Sequence, residues 1–281
     1  MSSARLPAAA ADLSTVRIAL VAPRNMRFSA HSATSIDLHI HETARWSAFR
    51  RNIVVMAEEI DEPFEDVRVR FWPRGRSRGH LERLLDSERP DLIVAHQHLP
   101  TAARLAARFP GTPVALVRHN FQRPPRNRLS ALFKRRSFAR LAALAFVSER
   151  CRRQFEIDWP QVHTPRCVTP NGVDSRLWRP APEKERVALF VGRLAPEKGV
   201  LEAAEGLAEV LAHREDWRAR FILAKGAAPE DYARAVQAAL GRLGSRAEVL
   251  LDAPHARVRD AMARAAIAVA PTQGEESFGR V

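Results

Sequence analysis

Short apolar runs recur along this 281-residue chain and alternate with segments whose apolar residues are spaced as on one face of a helix. The helical spacing is clearest at 79–87 and 100–108. Continuous apolar strands separated by helices are typical of a parallel sheet that is covered on both faces. The pattern therefore predicts an α/β fold. The strands predicted in the first half are 16–22, 52–57, 67–72, 91–96, 113–119 and 142–148.

The alternation is interrupted once and then restarts. Prolines mark the interruption, as is typical of a linker, at Pro160, Pro165, Pro170, Pro180 and Pro182. Beyond it, four strands at 187–192, 219–224, 247–251 and 266–270 alternate with helices near 197–213, 230–242 and 255–264. We predict two doubly wound Rossmann-like domains facing a cleft, because such sheets bind ligands at the carboxyl ends of their strands. The predicted parts are a flexible N-terminus (1–15), a first domain (16–165), a linker (166–183) and a second domain (184–281).

The chain is strongly basic, with a formal net charge of +13. Such a charge suits nucleic acid or an anionic membrane as a partner. However, only four of the 45 basic residues are lysines, which indicates a bias in composition rather than a binding duty. No recognisable nucleic-acid-binding motif is present, and Tyr232 is the only tyrosine, so platforms for stacking bases are scarce. We therefore expect no nucleic acid as a partner.

Cysteine content and apolar run length bear on where the protein works. Cys151 and Cys167 are too few for a disulfide framework, which favours a reducing compartment. No apolar run approaches the about 20 residues that cross a bilayer. The alanine-rich start is interrupted by Asp12 and lacks the apolar core of a signal peptide. The sequence predicts a cytoplasmic protein, at most peripherally attached to a membrane.

The stretch VGRLAPEKGV, residues 191–200, places two cations and two glycines at the end of a predicted strand. Gly192 and Arg193 come first, and Lys198 and Gly199 follow at the start of the next predicted helix. Free N–H groups and the dipole of a helix N-terminus favour anions, and both cations suit phosphate oxygens. The stretch therefore predicts an anion site, although a solvated turn explains the same residues.

Two further blocks, TPNGVDSRLWRP (169–180) and APTQGEESFGRV (270–281), flank this stretch. In this order and spacing the three blocks resemble the C-terminal half of family-4 glycosyltransferases. The resemblance implies retaining enzymes of the GT-B architecture that move a sugar from a nucleotide-diphosphate sugar to a glycan or a lipid-linked acceptor. It suggests a role in cell-envelope polysaccharide synthesis. A nucleotide-sugar epimerase of similar architecture and a basic nucleic-acid-binding protein are the alternatives.

The resemblance also implies roles for residues of the second domain. Arg193 and Lys198, beside Gly192, would hold the donor's diphosphate, so that no metal ion or other cofactor is required. Glu276 would contact hydroxyls of the transferred sugar, although without the motif it is simply a solvated carboxylate beside Glu275. The backbone at Phe278 and Gly279 would approach the donor, while Asn171 and Gly172 would lie in the linker next to the cleft.

Histidines follow several strands of the first domain. His119 ends the strand 113–119 and resembles the histidine with which this family faces the transferred sugar; a histidine capping a turn is the alternative. His96 and His98 follow another strand and are candidates for the acceptor side. His31, His39 and His41 suggest a metal, but His39 and His41 share a face only on a strand. No cysteine or carboxylate cluster supports these three, and we predict no metal site.

Three further regions bear on the function. The region after the first strand has Ser29, Ala30, Ser32 and Ala33 where many family members have a glycine pair, which puts the acceptor mode in doubt. The basic segment 123–144 is either a solvated helix face or a helix resting on an anionic membrane. The family's second motif glutamate would fall at position 284, beyond Val281, so we expect an incomplete second domain and a truncated, weakly active or inactive form.

Overall fold

The computed structural model describes residues 15–26, 28–30, 33–75, 77–125, 127–226 and 228–279. The chain divides into two compact units, Met1–Gly172 (unit 1) and Val173–Val281 (unit 2). The division falls inside the segment 166–183 that was predicted as a linker. Of the three histidines of the first turn region, His31 lies outside the described residues.

The described part of unit 1 contains a seven-stranded sheet in which every neighbouring pair is parallel. Its order is β3-β2-β1-β4-β5-β6-β7, so the direction of winding reverses between β1 and β4. Such a switch point is where doubly wound sheets form their binding crevice. The strands are β1 (Ile18–Val21), β2 (Ile53–Glu58), β3 (Val69–Trp72), β4 (Leu92–His96), β5 (Val114–Arg118), β6 (Ala143–Phe146) and β7 (Arg166–Val168).

Five helices accompany this sheet within the described residues. Every residue of β1 and of β2 is buried, as expected for strands covered on both faces. A capping box begins α1: Asp37 N–H donates to Thr34 Oγ1, and Thr34 N–H donates to the Asp37 carboxylate. The helices are α1 (Ser35–Trp46), α2 (Ser77–Glu88), α3 (Leu99–Arg108), α4 (Arg128–Ala139) and α5 (Glu149–Asp158).

Unit 2 has a four-stranded parallel sheet in its described part, with the order β10-β9-β8-β11. β8 is nine residues long and lies between β9 and β11, so the carboxyl ends of β8 and β11 are neighbours. The strands are β8 (Glu185–Arg193), β9 (Arg218–Ala224), β10 (Ala247–Leu251) and β11 (Ala265–Val269), and the helices are α6 (Val200–Leu211), α7 (Glu230–Gly241) and α8 (His255–Arg264).

These elements confirm the predicted α/β class with parallel sheets, and they correct several details. Residues 166–168, predicted as linker, form β7 at the edge of the first sheet. The helix predicted near 197–213 begins only at Val200, because a 3₁₀ turn and the left-handed Gly199 precede it. α1 and α5 had no counterpart among the predicted helices. In the part of the chain that the structure describes, no helix is both long and apolar enough to span a membrane.

Candidate functional site

The predicted anion site is built on the carboxyl end of β8. Gly192 and Arg193 are the last two residues of this strand, and they pair with Leu223 and Ala224 of β9. A Cβ on Gly192 would lie 3.2 Å from the ring of Phe190, so a larger residue fits there only if that buried ring moves. The strand therefore holds Arg193 at the carboxyl end of the sheet, which is where parallel sheets bind ligands.

Beyond β8 the chain makes one 3₁₀ turn, Pro196–Lys198, and enters α6 through Gly199. Gly199 has φ +69°, a conformation that glycine adopts without steric cost. A Cβ at this position would lie only 1.9 Å from the carbonyl oxygen of Pro271. Glycine is thus required twice, by the backbone angle and by the loop that follows β11.

That loop belongs to the motif block 270–281, and it contacts the other motif block of unit 2, 191–200. The N–H groups of Gln273 and Gly274 both donate to the carbonyl oxygen of Glu197, at 3.1 and 3.0 Å. Lys198 Nζ forms an ion pair with Glu276 Oε1. Residues 78 positions apart in sequence therefore meet because β8 and β11 are adjacent.

The remaining residues of the predicted donor site surround this contact. Arg193 Nη2 donates to Glu197 Oε1 at 3.1 Å, and the Arg193 side chain is half exposed. Phe278 is partly exposed, and Gly279 has a positive φ of +72°. Both cations of the predicted site thus have a carboxylate partner within unit 2.

In unit 1, three buried histidines come together beside the switch point of the sheet. His96 is the last residue of β4, His119 follows β5, and His39 comes from α1. His96 Nδ1 and His119 Nε2 lie 3.0 Å apart, so one of them donates a hydrogen bond to the other. The ring centroid of His39 lies 4.9 Å from that of His119 and 5.7 Å from that of His96. We call these three residues the histidine cluster.

Burial and the close approach of the rings oppose a positive charge on His96. Burial, and then the neighbouring His119 and His39, hold the pKa of His96 well below its usual range, so His96 is neutral at pH 7. Gln97, which has φ +64°, fixes the strand ends next to the cluster. Its side-chain oxygen accepts from His119 N–H at 3.0 Å, and its carbonyl accepts from Arg118. Burial lowers the pKa of Arg118 to about 10, which leaves the guanidinium charged at neutral pH.

The structure separates other histidines that the sequence had grouped. His96 is buried in the cluster, whereas His98 is exposed and its Nδ1 lies 2.8 Å from Thr101 Oγ1. His41 points away from His39 and pairs with Asp66 at 2.6 Å. The two candidates for an acceptor side therefore have different surroundings, and His39 and His41 lie on a helix rather than a strand.

Asn171 and Gly172 are the last two residues of unit 1. A Cβ on Gly172 would meet nothing within 4 Å, so no close contact requires glycine there. Among the described side chains, Asn171 Oδ1 is one of the few buried atoms without a hydrogen-bond partner.

Comparison with solved structures identifies the fold. HepE from Anabaena, solved in complex with UDP and glucose, matches with a TM-score of 0.62 and 18% identity, over 93% of this chain and 76% of that one. Starch synthase IV from Arabidopsis thaliana, bound to ADP and acarbose, matches with a TM-score of 0.67 and 13% identity, over 93% and 79%. The lipopolysaccharide outer core galactosyltransferase WaaB matches with 0.55 and 16%, over 94% and 76%. The fold is that of the GT-B glycosyltransferases.

The family model Glycosyltransferase Family 4 matches residues 31–177, just over half of the chain. The chain belongs to this family. The match lies mainly in unit 1, from residue 31 onward, whereas the motifs that suggested the family lie mostly in unit 2. The assignment decides among the three function classes in favour of a glycosyltransferase. Among curated protein sequences none matches the chain.

Proposed function

We propose that this protein transfers a sugar from a nucleoside-diphosphate sugar to a glycan or lipid-linked acceptor, with retention of anomeric configuration, in cell-envelope polysaccharide synthesis. The observation that carries the proposal is the contact between Lys198 and Glu276, which joins a cation and a carboxylate of two separate motif blocks. Structural neighbours support the donor class, since HepE was solved with UDP and glucose and starch synthase IV with ADP. WaaB, a lipopolysaccharide outer core galactosyltransferase, supports the acceptor class.

In the proposed transfer, cations stabilise the leaving diphosphate. Breaking the bond between a sugar and a diphosphate leaves negative charge on the departing oxygen, and preorganised cations stabilise that charge most in the transition state. Arg193 and Lys198 supply two such cations, so the transfer requires no divalent metal. Glu276 then contacts hydroxyls of the sugar, and the backbone at Phe278 and Gly279 approaches the donor.

Calorimetric titration of UDP and ADP tests the donor site. Charged hydrogen bonds contribute about 1.5–3 kcal/mol, so Lys198→Met or Arg193→Ala should weaken binding roughly 10- to 150-fold. Lys184→Met is the matched control, because Lys184 lies just before the opposite end of β8 and donates to Ala263 O. Unchanged affinity in both site variants would refute the assignment, as would an equal loss in the control.

We propose that His119 stabilises the transferring sugar while the leaving phosphate accepts the acceptor's proton on the same face. Replacing His119 with alanine should therefore lower turnover far more than donor affinity. NMR of the product linkage tests retention directly, and an inverted linkage would overturn this mechanism.

A lipid-linked acceptor requires access to a membrane, and α4 has a suitable surface. Leu129 is 70% exposed and Phe133 is 65% exposed, one helical turn apart. Basic residues share this helix: Arg128, Lys134, Arg135 and Arg136. We propose that α4 rests on an anionic membrane from the cytoplasm.

Flotation with phosphatidylserine-containing vesicles tests this surface. Leu129→Ser with Phe133→Ser should release the protein, since two exposed apolar anchors are lost. Ile157→Ser is the control, because Ile157 is equally exposed on α5. Binding that survives the double change, or is absent from the unaltered protein, would contradict the membrane proposal.

We also propose that the folded state of unit 2 is only weakly stable. In unit 2 the edge strands leave apolar side chains exposed, with Leu251 of β10 at 70% and Ile267 of β11 at 50%. Parallel strands are normally covered on both faces, so this exposure costs stability. Urea unfolding of a monodisperse protein tests this, and a unit 2 that unfolds cooperatively and no earlier than unit 1 would show the proposal to be wrong.

A further inference from the structure

The histidine cluster brings three ring nitrogens together, and only one of its residues, His119, has a role in the proposed transfer. One nitrogen from each of His39, His96 and His119 can be chosen so that all three lie within 4.8 Å of one another. The residues come from three different elements, α1, β4 and the segment after β5, and their exposed fractions are 7%, 2% and 6%. The fold, rather than chance proximity on one surface, assembles them.

One member of the cluster has unsatisfied binding capacity. Among the described side chains, His96 Nε2 is a buried atom with no hydrogen-bond partner. An imidazole nitrogen buried without a partner costs free energy, unless it accepts a proton or binds a ligand. His96 also lines a cavity of about 10 Å³, together with Ala95, Arg24 and Thr101. Such a volume holds about one water molecule, but His39 and His119 do not line it, so it is not a ligand position shared by the three rings.

We propose that the histidine cluster binds a borderline transition-metal ion, with Zn²⁺ as the reference case. Zinc sites with three histidines keep a fourth position for water, and their nitrogen ligands lie about 2.0–2.1 Å from the metal. Tetrahedral geometry at that distance sets the nitrogens about 3.3–3.4 Å apart. One nitrogen of each residue already lies within 4.8 Å of the other two, so the spacing must close by about 1.5 Å at most.

The donor set also selects the kind of ion. All three ligands are imidazoles, which suit Zn²⁺, Co²⁺, Ni²⁺ and Cu²⁺, whereas Mg²⁺ and Ca²⁺ prefer oxygen ligands. An ion that takes either His96 Nδ1 or His119 Nε2 breaks the hydrogen bond between them. If it takes the donor nitrogen, the proton of that imidazole moves to its other ring nitrogen.

The test uses the full chain, stripped with a chelator and titrated with Zn²⁺ in a calorimeter. We expect one equivalent to bind, and Co²⁺ in its place to give the visible absorption of a four-coordinate site. His39→Gln should weaken Zn²⁺ binding by about tenfold or more, because one of three ligands is lost. His41→Gln is the matched control, since His41 is buried on the same helix but pairs with Asp66. It should bind Zn²⁺ as the unaltered chain does.

Absence of stoichiometric Zn²⁺ binding to the unaltered chain would overturn the proposal, as would an equal loss in the two variants. If His39→Gln fails to fold, X-ray absorption of the zinc-loaded unaltered chain tests the site instead, because it counts the imidazole ligands of the ion. Three imidazoles at about 2.0–2.1 Å support the site, and fewer than three refute it. These readouts do not involve sugar transfer, so they are independent of the outcome for the proposed function.

Discussion

Replacing Gly199 with alanine perturbs the point where the two motif blocks of unit 2 meet. An alanine held at φ +69° costs about 1–2 kcal/mol, because its Cβ crowds the following carbonyl. The same Cβ would lie 1.9 Å from the carbonyl oxygen of Pro271, so the loop after β11 must move away. That movement stretches the two hydrogen bonds from Gln273 and Gly274 to Glu197, each worth about 0.5–1.5 kcal/mol. The expected loss is about 2–5 kcal/mol in the free energy of unfolding of unit 2.

Gly206→Ala provides the opposite expectation on the same helix. Gly206 lies exposed in the middle of α6, and a Cβ there would meet nothing within 4 Å. Alanine should therefore stabilise unit 2 by about 0.5–1 kcal/mol, since it loses less backbone entropy on folding.

Urea unfolding followed by circular dichroism measures the two changes. Amide hydrogen exchange supplies the local readout, because the N–H groups of Gln273 and Gly274 should lose protection in Gly199→Ala alone. If Gly199→Ala proved as stable as Gly206→Ala, with exchange at these two amides unaltered, the account of this junction would be wrong.

Three further outcomes are expected. Thr34→Ala removes the capping box that Thr34 shares with Asp37 and should lower stability by about 0.5–2 kcal/mol, measured by urea unfolding. Tyr232→Phe leaves the N–H of Leu201 at the start of α6 without its acceptor; a cost of about 1 kcal/mol should appear in the same assay, and no change would contradict the assigned bond. The pKa of His96 is depressed in the folded state, so the unfolded state binds the extra proton and stability should fall as pH drops below about 6.5. His96→Gln should flatten this pH dependence, and equal slopes in the two proteins would refute the assignment to His96.

Strands were predictable from the sequence because burial on both faces leaves continuous apolar runs. The buried runs of β1 and β2 carry that signal directly. β7 lacks it, since it is a three-residue edge strand without a fully buried residue. Its pairing depends on β6 rather than on its own composition.

α1 was missed for a different reason. Along 36–41 its residues alternate apolar and polar, a period that favours a strand. In the structure the polar members, Asp37, His39 and His41, are buried in unit 1, and tertiary packing overrides the local pattern. One local signal did indicate a helix: Thr34 three residues before Asp37 forms the capping box.

The candidate site likewise has residues that the sequence predicts locally and contacts that only the tertiary fold creates. Arg193 and Lys198 were found from a local motif, because a strand end and a helix start lie next to each other in sequence. The ion pair between Lys198 and Glu276 depends on the adjacency of β8 and β11, which no local pattern specifies. The histidine cluster needed the position of α1 as well, so His39 could not be assigned to it from the sequence.

The carboxylates that accompany both cations of the donor site have a consequence for ionic strength. Arg193 is paired with Glu197 and Lys198 with Glu276 before any nucleotide is present. Under the proposed function, a diphosphate does not meet two bare cations; it exchanges with two carboxylates that already occupy them. Added salt screens the attraction to the diphosphate and the internal pairs alike. Donor affinity should therefore fall less steeply with salt than it would at a site whose cations have no internal partners.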